Sequence, residues 1–251
     1  MVLRDLHVHT NYCDGKDSPR DIALAAVAMG METLGFSGHG YADCDADYCM
    51  SRENTEKYKR DVAALKKEFA GKLVILCGVE KEIFSVDDTS DFDYVIGSAH
   101  CMLIDGEYVT VDWKPEELTK AAEKYFGGDM LSLVECYYDT VSEVAEKTKC
   151  DIVGHIDLIT KFNENDILFD TKSERYAAAY RRAIDRIMPS CKLFEINTGA
   201  ISRGYRTSPY PSSDIIDYIK EKGGRFILSS DSHSKETLCY CFDKYESLLL
   251  L

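Results

Sequence analysis

The order of apolar and polar positions predicts one repeating unit, a strand followed by a helix, seven times over. Residues 5–10, Asp-Leu-His-Val-His-Thr, alternate as a strand does, so Leu6 and Val8 face one way and His7 and His9 the other. Apolar runs at 33–37, 72–80, 92–100, 151–155, 192–197 and 225–230 predict the other strands. The run at 72–80 is almost unbroken, as expected of a parallel strand covered on both faces. Ile22, Ala26 and Met29 form the stripe of a first helix, with Ser18 as N-cap, Pro19 at the first helical position and Gly30 at the end. Tyr58, Val62, Leu65 and Phe69 mark a second helix over 51–69, and further helices are predicted at 115–126, 129–148, 173–188 and from 211 to 223. Residues 41–50 are acidic and irregular and predict a solvated loop over the site. Asp43, Asp45 and Asp47 share the spacing of a calcium loop, but the later glycine and glutamate of that motif are missing.

Alternating strands and helices imply a parallel α/β sheet with right-handed crossovers. Seven units in 251 residues suit a closed barrel, with a doubly wound open sheet as the alternative. No linker or low-complexity segment interrupts the chain, so residues 1–251 are expected to form one domain.

Composition narrows the partners. With 45% hydrophobic and 29% charged residues the chain reads as globular. A net charge of −14 and a pI near 4.9 argue against nucleic acid or an anionic membrane surface as partner. No apolar run approaches the roughly 20 residues that span a bilayer. The first strand leaves no room for a signal peptide, and ten scattered cysteines without a CxxC pair suggest core thiols in a reducing, cytoplasmic setting.

The chemistry lies in where the histidines fall. All six, His7, His9, His39, His100, His155 and His233, sit in or just after predicted strands. So do Glu80 and Asp231, while Asp14 follows His9 by a short loop. In a parallel barrel every strand end opens on one face, so these nine donors converge. Hydrogen-bonded core histidines would explain one or two of them but not six. Nine donors exceed what one ion takes, so two or three divalent ions (Zn, Fe or Mn) are expected, with Glu80 as a bridging carboxylate. Closely spaced ions of this kind hold a bridging hydroxide and clamp both sides of an in-line phosphoryl displacement.

Taken together, His7-Val8-His9-Thr10, Asp14-Gly15, Gly38-His39, Glu80, Ser98-Ala99-His100, Gly154-His155 and Asp231-Ser232-His233 resemble the motifs of the PHP (polymerase and histidinol phosphatase) superfamily. Residues 154–162 (GHIDLITKF) and 195–212 (EINTGAISRGYRTSPYPS) are most similar to its monofunctional histidinol-phosphatases. The resemblance implies a single-domain, distorted seven-stranded TIM-like (β/α) barrel with a trinuclear metal centre that hydrolyses L-histidinol phosphate in histidine biosynthesis. It implies one ion held by His7, His9, Glu80 and Asp231, a second by Glu80, His100 and His155, and a third by Asp14, His39 and His233. It also implies Arg203 and Lys161 as the cations that meet a phosphate. The expected chemistry is attack of a metal-bridging hydroxide on phosphorus, with Asp231 or His233 giving a proton to the leaving alkoxide. Lys161 reads equally well as a solvated cation. Glu195 and Asn197 share a strand face and suit holding loops as well as touching substrate. Cys13 and Cys101 lie next to expected ligands. Rival readings are action on another small phosphate ester or a nucleotide, a polymerase-associated DNA-handling domain, and a purely structural metal site.

Overall fold

The computed structural model describes residues 3–249, in which β1 (Arg4–Asp5), α1 (Pro19–Ala28), β2 (Thr33–Phe36), α2 (Arg52–Glu68), β3 (Val74–Glu82) and β4 (Tyr94–Ser98) follow the expected order. A hairpin of β5 (Cys101–Ile104) and β6 (Glu107–Thr110) precedes α3 (Pro115–Phe126), α4 (Met130–Val141) and α5 (Val144–Thr148). Then come β7 (Ile152–Val153), α6 (Glu174–Ile187), β8 (Leu193–Asn197), α7 (Gly199–Ser202), α8 (Ser213–Glu221), β9 (Arg225–Ser229) and α9 (Phe242–Tyr245).

Seven strands pair in the order β1-β2-β3-β4-β7-β8-β9, every pair parallel. Past β1 and β9 the two edges meet: Val8 bridges Ser232, and the His9 amide donates to the Ser232 carbonyl at 2.8 Å. The sheet is therefore a nearly closed, distorted barrel rather than a doubly wound open sheet. Helices pack outside, burying Leu34, Phe36, Ile75, Val79, Val95, Phe194 and Ile196 between strands and helices.

A second apolar cluster, Tyr94, Ile96 and Ile152 with Leu6, Leu76, Leu193 and Ile227, fills the barrel interior. Tyr94 reaches across it and donates to the carbonyls of Leu6 (2.6 Å) and Phe36 (3.1 Å). Gly35 and Gly78 make room, since a Cβ on either would fall 2.3 and 2.2 Å from the Tyr94 ring or hydroxyl. This plug forms a floor, and the side chains above it on the same strand faces include Glu80, Glu195 and Asp231.

Local signals set most boundaries. Ser18, Ser51 and Ser173 cap α1, α2 and α6, each accepting from an amide three residues on. Several expectations need correction. The first strand forms a ladder only over β1; beyond it the chain keeps the single Val8–Ser232 bridge, and Leu6 joins the inner cluster while Val8 joins the outer core, so the two do not share a face. The single helix over 129–148 is two, because Ser142 Oγ donates back to the Asp139 carbonyl at 2.6 Å and competes locally with the helix. The polar loop after β8 contains α7, and β3 runs on to Glu82. The hairpin has no counterpart in the sequence reading. Its turn, Asp105-Gly106, has both φ angles positive, at 50° and 83°.

The ten cysteines are free thiols, five of them buried. Among the described residues no helix is long and apolar enough to cross a membrane.

Candidate metal centre

Each expected ligand comes from the C-terminal side of a strand. His7, His9 and Asp14 follow β1, His39 follows β2, Glu80 lies in β3, His100 follows β4, His155 follows β7, and Asp231 and His233 follow β9. Hydrogen bonding holds these post-strand segments in line. The Gly40 amide donates to the Glu80 carbonyl at 2.8 Å, and the Ser232 amide to the His7 carbonyl at 3.1 Å.

Glu80 is the hub. Its Oε2 lies 3.2 Å from His7 Nε2, 3.6 Å from His9 Nε2 and 3.1 Å from His39 Nδ1, and its Oε1 lies 2.9 Å from His155 Nε2 and 3.5 Å from His100 Nε2. Asp231 Oδ1 approaches His9 Nε2 (3.1 Å), His233 Nδ1 (3.6 Å) and His7 Nε2 (3.8 Å). Asp14 meets His233 Nε2 (2.9 Å), His9 Nδ1 (3.4 Å) and His39 Nε2 (3.8 Å). All nine expected donors thus sit in one cluster. Those within 4.8 Å of one another fall into groups that differ in detail from the resemblance: His9 joins Asp14, His39 and His233, while His100 groups with His39 and Asp45.

The electrostatics are extreme because the cluster is buried. Burial opposes charge on His7, but Glu195, Glu80 and Asp231 outweigh it, and its pKa lies well above the usual imidazole value. His9 is raised in the same way against burial by Asp14 and Asp231, and His100 by Glu80 and Glu82. Burial would raise Glu80 and Asp231; instead His7, His39 and His100 hold Glu80 far below the carboxylate range, and Arg203 and His7 do the same for Asp231. His39 is pushed down to about 3, by burial first and then by His9 and His100, against the pull of Glu80 and Asp14.

The donor set fits divalent ions. His7 Nε2, His9 Nε2, Asp14 Oδ1 and Glu80 Oε2 are buried atoms with no hydrogen-bond partner among the described residues. Buried polar atoms left so cost about 1–3 kcal/mol each, and metal coordination is the chemistry that resolves imidazole nitrogens and carboxylate oxygens facing one another.

Two glutamates orient the rings. Glu195 Oε2 accepts from His7 Nδ1 at 2.8 Å, and its Oε1 accepts from the His155 amide (2.7 Å) and Asn197 Nδ2 (2.9 Å). Asn197 Oδ1 in turn accepts from the Gly199 amide at 2.8 Å. Both therefore hold the site together. Glu82, which the sequence reading passed over, does the same for His100 from the strand face shared with Glu80. The period of two along β3 was the available signal.

Arg203 lies where α7 ends. It donates to Asp231 Oδ2, to the Asp231 carbonyl and to His233 Nδ1, each at 2.9 Å. Gly199 leaves space for this, since a Cβ there would sit 2.7 Å from Asp231 Oδ2. Arg203 and Lys161 line one cavity of about 260 Å³ beside His39, His100, His233 and Asp231. Lys161 is tied down, its Nζ donating to the Asp112 carbonyl (2.7 Å) and lying 3.4 Å from Asp112 Oδ2. Residues 41–50 do not form a wholly solvated loop: Asp45 turns into the cavity, and burial, with Asp112 and Glu82 nearby, pushes its carboxyl up to about 7 against the pull of His100. Cys13 Sγ lies 3.7 Å from His9 Nδ1, and Cys101 Sγ donates to the Cys44 carbonyl at 3.5 Å.

The sequence model of the PHP domain matches residues 5–199. A protein of Deinococcus radiodurans named probable histidinol-phosphatase is 31% identical over 245 residues, covering 92% of this chain and 86% of that protein. The histidinol-phosphatase of Bacillus subtilis is 26% identical over 272 residues, covering 98% of each. Among solved structures, histidinol phosphate phosphatase from Lactococcus lactis, in complex with zinc, L-histidinol and phosphate, superposes with a TM-score of 0.68 at 21% identity, covering 99% of this chain and 92% of that one.

Proposed function

This chain belongs to the PHP domain family, and on that premise we propose that it is a metal-dependent phosphatase that hydrolyses L-histidinol phosphate to L-histidinol and phosphate. The observation that carries this is the convergence of nine donors, Glu80 and Asp231 among them, at the edge of a cavity that also holds Arg203. The relatives of similar length are histidinol-phosphatases, and the Lactococcus protein binds zinc, L-histidinol and phosphate.

His7, His9, Glu80 and Asp231 would hold one ion, Glu80, His100 and His155 a second, and Asp14, His39 and His233 a third. Divalent zinc, iron or manganese bound there lowers the pKa of water towards about 7 and polarises phosphoryl oxygens. The protein's own groups do the rest. Arg203, held by Asp231, presents its guanidinium to the cavity and stabilises charge on the phosphoryl oxygens. Lys161 lines the same cavity, anchored by Asp112. Of the two groups expected to pass a proton to the leaving alkoxide, Asp231 is held ionised by Arg203 and His7, which leaves His233, 3.6 Å away beside Arg203, as the donor. Glu195 and Glu82 keep the rings of His7 and His100 turned toward the centre.

We take residues 1–251 as one domain; the pairing of β9, beyond the matched residues, with β8, which brings in Asp231 and His233, supports this reading. The substrate is a small phosphate ester; the charge of −14 disfavours nucleic acid as partner, and ten free thiols suit the cytoplasm.

The test is phosphate release from L-histidinol phosphate, with metal content measured on the same sample. Rapid release with two or three equivalents of metal, lost on chelation and in His9→Ala, is expected. Metal without turnover of this ester would discard the substrate, and neither metal nor turnover after loading with zinc, manganese or iron would discard the enzyme.

A further inference from the structure

The cavity beside the metal centre is lined by acids and cations, and its charges do not all pair. Asp231 is taken by Arg203, Asp112 lies beside Lys161, and Asp14 meets three histidines. Asp45 is different. Among the described residues it has no lysine or arginine partner, and its carboxylate lies within 4.8 Å of the donor atoms of His39 and His100. It does not dangle there. Its carbonyl accepts from the Tyr48 and Cys49 amides, both at 3.1 Å, its amide donates to the Ala42 carbonyl at 3.1 Å, and the Cys101 thiol donates to the neighbouring Cys44 carbonyl.

Asp45 thus stands in a partly desolvated position where an unpaired carboxylate is costly. We propose that Asp45 selects the substrate: its carboxylate pairs with a positive charge on the organic part of the phosphate ester. This rests on the phosphatase reading above. Geometry narrows it further. Because Asp45 stands next to ring nitrogens of the metal centre, the charge it meets must lie close to the ester oxygen, as an ammonium on the carbon adjacent to the ester carbon does. L-Histidinol phosphate has that arrangement, and Asp45 takes its ammonium. The imidazole then lies outward, toward Tyr48 and Trp113, whose rings stand 5.6 Å apart and line the same cavity. An ester with a neutral carbon there would leave Asp45 unpaired, and so would be rejected.

The test compares two esters of nearly equal shape, O-phosphoethanolamine and n-propyl phosphate, which differ by an ammonium in place of a methyl group. Wild-type protein is expected to prefer the ammonium ester in kcat/KM, and Asp45→Asn to cut that preference by roughly 10- to 100-fold, the worth of a hydrogen bond to a charged group. A preference unchanged in the variant overturns the proposal. So does an equal fall for both esters with loss of bound metal, which would make Asp45 a metal ligand. L-Histidinol binding by calorimetry supplies a readout without turnover. If neither these esters nor L-histidinol phosphate is hydrolysed, the phosphatase reading fails, yet weaker L-histidinol binding by Asp45→Asn still supports the ammonium site. Equal binding by both proteins, or no binding by the wild type, overturns it.

Discussion

Glu82 Oε2 accepts from both the main-chain amide of His100, at 2.8 Å, and its ring Nδ1, at 2.9 Å. A carboxylate accepts only, so the proton sits on Nδ1, and Nε2 is left to face Glu80 at 3.5 Å. One side chain thus fixes the backbone position, the tautomer and the aim of a proposed ligand.

Replacing Glu82 with leucine should therefore weaken metal binding by roughly 10- to 100-fold, the usual cost of losing an outer partner of a ligating histidine. Glu82→Gln keeps an oxygen acceptor and should recover part of it. Competition against a chromophoric chelator measures both, and an unchanged affinity in the leucine variant would refute the role.

Arg203 and Lys161 should differ in weight. Arg203 touches Asp231 and His233 directly, whereas Lys161 is held by Asp112. Arg203→Ala should lower kcat/KM for L-histidinol phosphate by about 100-fold or more, as expected for a group that stabilises developing charge. Lys161→Ala should cost less. Steady-state kinetics on the two variants decides, and a larger loss for Lys161 would reverse the assignment.

Metal affinity should rise with pH through the neutral range. The pKa values of His7, His9 and His100 are raised, so at neutral pH these rings hold protons that an ion must displace. Glu80 and Asp231 are depressed, hence already ionised, and have no proton to release. Calorimetry in buffers of different ionisation enthalpy should show protons leaving as metal binds. Affinity that stays flat from about pH 6 to about pH 8, without proton release, would contradict this sign.

Gly78→Ala should destabilise the barrel by about 1–3 kcal/mol, because the new methyl meets the Tyr94 ring, which is pinned by hydrogen bonds to two carbonyls. Urea unfolding gives the value. A neutral result would mean that the Tyr94 plug is looser than its contacts imply.

Much of this was legible in the sequence because it is encoded locally. Apolar runs mark strands, the serine caps and glycine stops mark helices, and a histidine or carboxylate closing a strand can be seen without knowing where the strand goes. A parallel barrel brings all such ends to one rim, so position along the chain alone predicted that the nine donors converge. The Asp105-Gly106 turn was also a local signal, and β5 and β6 were there to be found beside it.

Only the tertiary structure decided the rest, because it depends on partners distant in sequence. Glu82 becomes a histidine partner only when β3 lies against β4, and Glu195 reaches His7 only when β1 closes the barrel, across a separation of 188 residues. Lys161 meets Asp112 from another loop, and Asp45 turns from an acidic, solvent-like stretch into the cavity. The composition of residues 41–50 could not reveal this. A carboxylate's exposure is set by what folds over it, and here that is the mouth of the barrel itself.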